Sequence, residues 1–223
     1  FAPRLSWKMK KDVRGAKQTA CQILVATTDE LLLSGTPDLW DSGKIESDQS
    51  IQIEYKGKPL TSGMKVSWKV KIWDEESAVS VWSPVAHWEM GLLEKNDWQA
   101  KWIGAPESLA TKEWKLPSPL FRKTAGLSGK IKQARAYISG LGYYELYING
   151  AKIGDHVLSP NQTNYDRQKV EKWSESRIGN MNTTVLYEIF DITSALKSGE
   201  NAFGVILGNG WYIQADRPND TML

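Results

Sequence analysis

The sequence predicts an all-β chain built as two β-sandwiches in tandem, and three observations carry that prediction. Short apolar runs recur about every ten residues with glycine between them and almost no helical periodicity, the rhythm of antiparallel sandwiches. Two runs alternate strictly: Val66, Trp68, Val70 and Ile72 against Ser67, Lys69 and Lys71, and Tyr144, Leu146 and Ile148 against Tyr143, Glu145 and Tyr147. Such alternation puts one face of a strand in a core and leaves the other wet. Finally, Asn149-Gly150 separates the second run from a short one at Ala151 to Asp155. Asn-Gly accepts the positive φ at both central positions of a type I′ turn, so a hairpin is expected there.

In the first segment, strands are predicted at Leu5 to Met9, Thr19 to Thr27, Ile51 to Tyr55, Lys65 to Trp73 and Ala86 to Met90, with glycines in the breaks. About one helical turn is expected after Thr28-Asp29. These elements make a sandwich over residues 1–93. Cys21, the only cysteine, lies in the apolar run TACQILVATT and reads as a small buried hydrophobe; no intrachain disulfide is available. His87 alternates with Ala86 and Trp88 and reads as solvent-facing, and Lys8, Lys10, Lys11 and Arg14 read as a solvated edge, since sheet edges favour lysine.

Residues 94–104 read as a linker, because polar Glu94 to Asp97 break the pattern; the large residues around it, Leu92, Leu93, Trp98 and Trp102, predict a joint packed on both sides. The second sandwich occupies 105–223, opening with a polar loop at Ala105 to Pro119. Its strands are predicted at Leu120 to Thr124, Lys130 to Ser139, Tyr143 to Asn149, Val185 to Asp191 and Ala202 to Leu207. Thr193 to Gly199 reads as one helical turn capped by Thr193 or Ser194 and stopped by Gly199.

The net charge of +2, with signs mixed along the chain, gives no basic stripe, so nucleic acid is not an expected partner. No apolar run approaches the roughly 20 residues a membrane-spanning helix needs, and no membrane partner is expected. The 11 tryptophans suit β-sheet cores and equally the stacking platforms of carbohydrate-binding proteins, and composition leaves both open. With His87 and His156 as the only histidines, neither a Ser-His-Asp arrangement nor a metal site at ligand spacing can be argued. The acids Glu145, Asp155, Asp166 and Asp191 fall at strand ends, turns or exposed faces, where turn-capping and solvation account for them. The loop GNGWY, Gly208 to Tyr212, lacks the Lys-Ser/Thr and the helix of a phosphate loop. No catalytic residue and no metal ligand is assigned.

Several separate motifs, in order, carry a family resemblance: YISGLGYYELYINGAKIGDHVLSP at Tyr137 to Pro160, YDR at Tyr165 to Arg167, LYEIFDIT at Leu186 to Thr193, and LKSGENAFGVILGNGWY at Leu196 to Tyr212. Together they resemble the amino-terminal β-sandwich module of bacterial α-L-rhamnosidases, the inverting glycoside hydrolases of family 78 that cleave terminal rhamnose. Upstream, PRLSW at Pro3 to Trp7, DLWDSGKI at Asp38 to Ile45, SWKVKIWD at Ser67 to Asp74 and WEMGLL at Trp88 to Leu93 resemble the fibronectin type III-like module that precedes it. The resemblance implies a jelly-roll or galactose-binding-like second sandwich that is incomplete here. It also implies further strands and an (α/α) catalytic barrel beyond Leu223, so the chain reads as a fragment, inactive alone, with fragile unpaired sheet edges. The expected partners are that barrel, in the same polypeptide, and rhamnose-containing glycans. A periplasmic or extracellular location is favoured over a cytoplasmic one, while the residues themselves leave the compartment open. One departure is an insertion of about a dozen residues at Val170 to Thr183, beside a predicted ligand edge.

Three roles stay open. The modules act as accessory support for the barrel, as a calcium-dependent carbohydrate-binding module, or as pure scaffold. For the binding role the candidates are Trp211, Asn209, Trp173, Asn149 and Asp155. An indole offers the apolar face of a 6-deoxy sugar a stacking surface, and the amides and the carboxylate supply hydrogen bonds. Calcium is the only cofactor the resemblance implies.

Overall fold

The computed structural model describes residues 2–10, 14–104, 118–161, 163 and 185–208. The chain divides into two compact units, Phe1–Lys101 and Trp102–Leu223. Both are almost entirely β.

The first unit runs β1 (Arg4–Leu5), β2 (Gln18–Ala26), α1 (Asp29–Leu33), β3 (Trp40–Asp41), β4 (Ile45–Glu46), β5 (Ile53–Glu54), β6 (Lys65–Asp74) and β7 (Ala86–Glu89). A five-stranded sheet has the order β3-β2-β6-β7, with β4 also on β2, and β1 pairs with β5 separately. All these pairings are antiparallel. One face of the sheet presents Cys21, Ile23, Val25, Val66 and Val70 to Leu5, Leu39 and Tyr55. Trp40 and Trp88 meet Tyr55 edge-on, at centroid separations of 5.4 and 6.3 Å. Gly57 is required beside them, because a Cβ there would collide with the Tyr55 ring and Trp40.

The opposite face corrects the expectation that Ser67 and Lys69 are wet. Leu24, Ala26 and Leu32 form a second core with Trp82 and Val85 alongside, and α1 closes over this side of the sheet. Ser67 and Lys69 are only 5% and 7% exposed. Their polar groups are matched from the helix: Ser67 Oγ donates to Asp29 Oδ1 at 2.6 Å, and Lys69 Nζ donates to the Leu32 carbonyl at 2.6 Å. The Lys69 ammonium also lies 4.9 Å from the Trp82 ring centroid, so a buried cation is compensated twice. Burial on both faces explains why ILVA in β2 reads as a continuous apolar run. The single helical turn falls where expected, with Thr28 Oγ1 accepting from Leu31 N at 3.4 Å.

Cys21 is buried, and that burial pushes its thiol up. His87 is exposed as expected, with Nε2 2.8 Å from Asp29 Oδ1. The strand expected at Leu5 to Met9 contracts to β1, because among the described residues the one backbone bond of this stretch beyond Leu5 is Trp7 N donating to Ser50 O.

The second unit runs β8 (Leu120–Leu127), β9 (Arg135–Ile138), β10 (Tyr143–Ile148), β11 (Ala151–Lys152), β12 (Glu188–Asp191) and β13 (Gly199–Gly208). Four strands form an antiparallel sheet in the order β11-β10-β13-β8, and β12 pairs with β9. Tyr144, Leu146 and Ile148 are buried while their neighbours are half-exposed, as the alternation predicts. The Asn149-Gly150 turn has φ of 52° and 88°, the left-handed pair a type I′ turn needs. Pairing of Tyr143 with Gly208 brings the backbones so close that a Cβ on Gly142 would overlap the Gly208 carbonyl oxygen.

Strands β9 and β12 are shorter than expected, and β8 continues to Leu127 because β13 pairs with it along Gly199 to Ile206. The turn after β12 is a 3₁₀ helix at Thr193–Ala195 without a side-chain cap. Thr193 Oγ1, expected to cap it, instead accepts from Ala134 N at 2.9 Å and fastens β12 to the chain before β9. Gly199, at φ 88°, opens β13.

Candidate functional site

The polar cluster of the second unit is assembled from β10, β12 and the 154–161 loop. Gly154 turns the chain at φ 74°, and any Cβ there would press on the Phe190 ring at 2.8 Å. The loop then carries His156 to a ring separation of 5.8 Å from Phe190. Leu158 sits at φ 59°, an uncommon conformation for a non-glycine residue. Its successor is locked to the sheet, since Tyr144 N donates to the Ser159 carbonyl at 2.7 Å.

Glu188, at the head of β12, collects the donors. Its Oε2 accepts from Tyr144 Oη at 2.6 Å, and its Oε1 accepts from Ser159 Oγ at 3.0 Å. His156 Nδ1 lies 3.1 Å from the same Oε1 and donates when that nitrogen carries its proton. Burial, and then the bond and charge of Glu188, push the Tyr144 phenol well above its ordinary value, so it stays neutral. Beside this cluster lies a cavity of about 420 Å³, walled by Asp155, His156, Leu158, Ser159, Asn161 and Glu188. Val157 and Leu158 stand at its rim, 77% and 66% exposed.

The Glu188 carboxylate is shared by Tyr144, Ser159 and His156. The depression has a polar floor of Ser159, Asn161 and Glu188 and an apolar rim of Val157 and Leu158.

Of the residues predicted from sequence, Asp155 lies on the cavity wall, with its carboxylate in solvent and Oδ1 4.0 Å from His156 Nε2. Asn149 is elsewhere, at the hairpin turn. Its Nδ2 donates to Ala195 O and Asn201 Oδ1, both at 2.9 Å, and its Oδ1 accepts from Ala202 N at 3.0 Å. Trp173, Asn209 and Trp211, with the insertion at Val170 to Thr183, lie outside the described residues. Sequence reasoning missed His156, Ser159, Asn161 and Glu188. A signal existed for Glu188: it precedes Phe190 by two positions on one strand, so both face the same way.

Calcium takes six to eight oxygen ligands. Among the described residues no cluster of acids, histidines or cysteine is assembled that would hold a metal ion, and Glu188 is already committed to its donors. The described residues therefore do not fit a calcium site.

Comparison with known proteins matches residues 1–94 to the Rha78A-like, N-terminal immunoglobulin domain, and residues 129–221 to the alpha-L-rhamnosidase N-terminal domain. The two family models, one after the other, are those of α-L-rhamnosidase amino-terminal modules. An α-L-rhamnosidase of Formosa agariphila is 38% identical over 231 residues, covering 96% of this chain and 23% of the relative. The solved α-L-rhamnosidase of Dictyoglumus thermophilum is 39% identical, with a TM-score of 0.78, over 95% of this chain and 23% of its own. That of Aspergillus terreus is 28% identical, with a TM-score of 0.71, over 95% and 22%. The chain thus spans under a quarter of the length of the α-L-rhamnosidases it matches, and it corresponds to their amino-terminal accessory region.

Proposed function

We propose that the chain supports the catalytic barrel of an enzyme that removes terminal α-L-rhamnose with inversion. The observation that carries this reading is the match over 96% of the chain to a rhamnosidase of which it spans only 23%. Inverting hydrolysis uses two carboxyl groups, one protonating the leaving oxygen and the other activating water. Both are assigned to the barrel. The test is a chimera in which this chain replaces the matching segment of the Formosa agariphila relative. Hydrolysis of an aryl α-L-rhamnoside is expected from the chimera and not from the 223-residue chain alone. Activity in the isolated chain, or a folded but inactive chimera, overturns the proposal.

A second reading is favoured by the cavity beside Asp155. In it the second unit also holds rhamnose-containing glycans, through Asp155 with Asn209, Trp173 and Trp211. Calorimetric titration with L-rhamnose, with and without calcium, decides it. Saturable heat abolished by Asp155→Ala and Trp211→Ala supports the reading, and no heat in a folded sample returns the unit to scaffold.

A further inference from the structure

The first unit carries a second open feature, independent of the glycosidase reading. A cleft of about 460 Å³ lies between two stretches of backbone, 7–10 and 78–84, with Val70 and Ile72 at its base. After β6 the chain turns back and Val79 bridges Trp73 in antiparallel register. The flanking bonds, Asp74 N to Ala78 O at 3.0 Å and Ser80 N to Ile72 O at 2.9 Å, make this a non-hydrogen-bonded pair. Val79 therefore aims its own N–H and C=O away from β6, and neither its N–H nor that of Val81 has a partner among the described residues. The facing stretch is similarly open, since past Trp7 the amides of Lys8, Met9 and Lys10 are also unbonded among the described residues.

Unpaired edges are ordinarily guarded by charge, proline or a bulge. This one presents aliphatic side chains instead, with Val79 53% and Val81 88% exposed. The charge is on the other wall: Lys8, Lys10 and Lys17 line the cleft, and none has an ion-pair partner among the described residues. Among the described residues of the lining the one acid is Asp74, whose Oδ1 accepts from Glu76 N and Ala78 N in its own hairpin at 3.0 and 2.9 Å. In extended chain Lys8 and Lys10 point to one side, two residues apart, the period of a strand's own side chains.

We propose that this cleft receives an extended segment of a partner polypeptide, with carboxylates alternating with apolar side chains, which adds as a strand to the 78–82 edge. Main-chain bonds to the edge supply affinity. The lysine wall reads the carboxylates, and the aliphatic base takes the alternate side chains.

The test is calorimetric titration of the 223-residue chain with a blocked octapeptide of alternating glutamate and valine. Three controls accompany it: the lysine-valine counterpart, the acidic peptide N-methylated at alternate positions, and oligogalacturonate. Saturable binding of the acidic peptide alone is expected. The variant carrying Lys8→Gln, Lys10→Gln and Lys17→Gln should bind it about tenfold more weakly, the scale of three exposed ion pairs, and added salt should weaken binding further. Because N-methylation alters only the peptide, its failure to bind tests the edge bonds without touching the protein's stability. The proposal is overturned if no peptide binds to folded chain, if the N-methylated peptide binds equally well, or if oligogalacturonate binds in place of peptide. It is also overturned if sedimentation shows the cleft filled by a second copy of the chain, with a dimer lost in the triple variant.

Discussion

Asn201 is the residue whose loss the structure prices most directly. It is fully buried, in the GEN motif that opens β13. Its Oδ1 accepts from Asn149 Nδ2 and Lys197 N, each at 2.9 Å, and its Nδ2 donates to Lys197 O at 2.7 Å and Gly199 O at 3.0 Å. One side chain thus ties the hairpin turn to the loop before β13. Asn201→Ala removes all of these bonds, each worth about 1 kcal/mol net. Asn149, Lys197 and Gly199 are exposed as residues, so water recovers part of the loss. The expected cost is about 3 kcal/mol, a large share of the roughly 5–15 kcal/mol that holds a domain together. Thermal unfolding of the second unit should fall by roughly 10 °C, and urea unfolding should show a lower midpoint at unchanged slope. A double-mutant cycle with Asn149→Ala should give a coupling of about 1 kcal/mol for the amide pair. A loss below about 0.5 kcal/mol, or strict additivity in the cycle, refutes the argument, because buried unsatisfied groups cost more than that.

Four further outcomes are expected. Lys69→Met should cost about 1–2 kcal/mol in urea unfolding, since the Leu32 carbonyl loses a charged donor and the Trp82 ring its cation. Gly142→Ala should cost about 2 kcal/mol or more and speed amide exchange at the β10–β13 junction, because its methyl must displace the Gly208 carbonyl. The Ser67 hydroxyl, then His87, holds the Asp29 carboxyl below its usual range, so the unfolded chain binds more protons there. Stability from this group is present above about pH 4 and is lost as pH falls through the folded value, and Asp29→Asn should remove that share of the acid transition. Tyr144 is raised by burial and then by Glu188, so the sign reverses: stability should fall as pH rises above about 10, and Glu188→Gln should bring the phenol's absorbance titration closer to that of free tyrosine.

The second unit's sheet was legible because its signals are local. Alternation in Tyr143 to Ile148 names the buried face, and Asn149-Gly150 names the turn and its twist. The first unit misled in one place for a physical reason. Alternation around Ser67 and Lys69 looks solvated, yet a one-turn helix dozens of residues upstream in sequence supplies a carboxylate and a carbonyl to those side chains. Nothing within β6 encodes that cover. The site was less legible still, because Glu188 meets Tyr144 and Ser159 only through pairings between elements far apart in the chain, and because the turn at Leu158 uses a residue with no preference for positive φ.

The Glu188 cluster also bears on what kind of ligand site the second unit can offer. A carboxylate that accepts from Tyr144 and Ser159, with the His156 ring beside it, is spent on holding the 154–161 loop in its left-handed turn against β10. Such preorganisation lowers the entropy a ligand must overcome on binding, because the wall is already ordered. In the proposed glycan-binding reading, recognition at this cavity falls to the solvated carboxylate of Asp155 and the aliphatic rim of Val157 and Leu158. A charged hydrogen-bonding group beside exposed methyls matches the two-sided surface of a deoxysugar, with hydroxyls on one edge and a methyl on the other. The division of labour is the same one that makes Asn149 structural: in this unit the side chains with the most partners set the loops, and the ones with the fewest are left to meet a ligand.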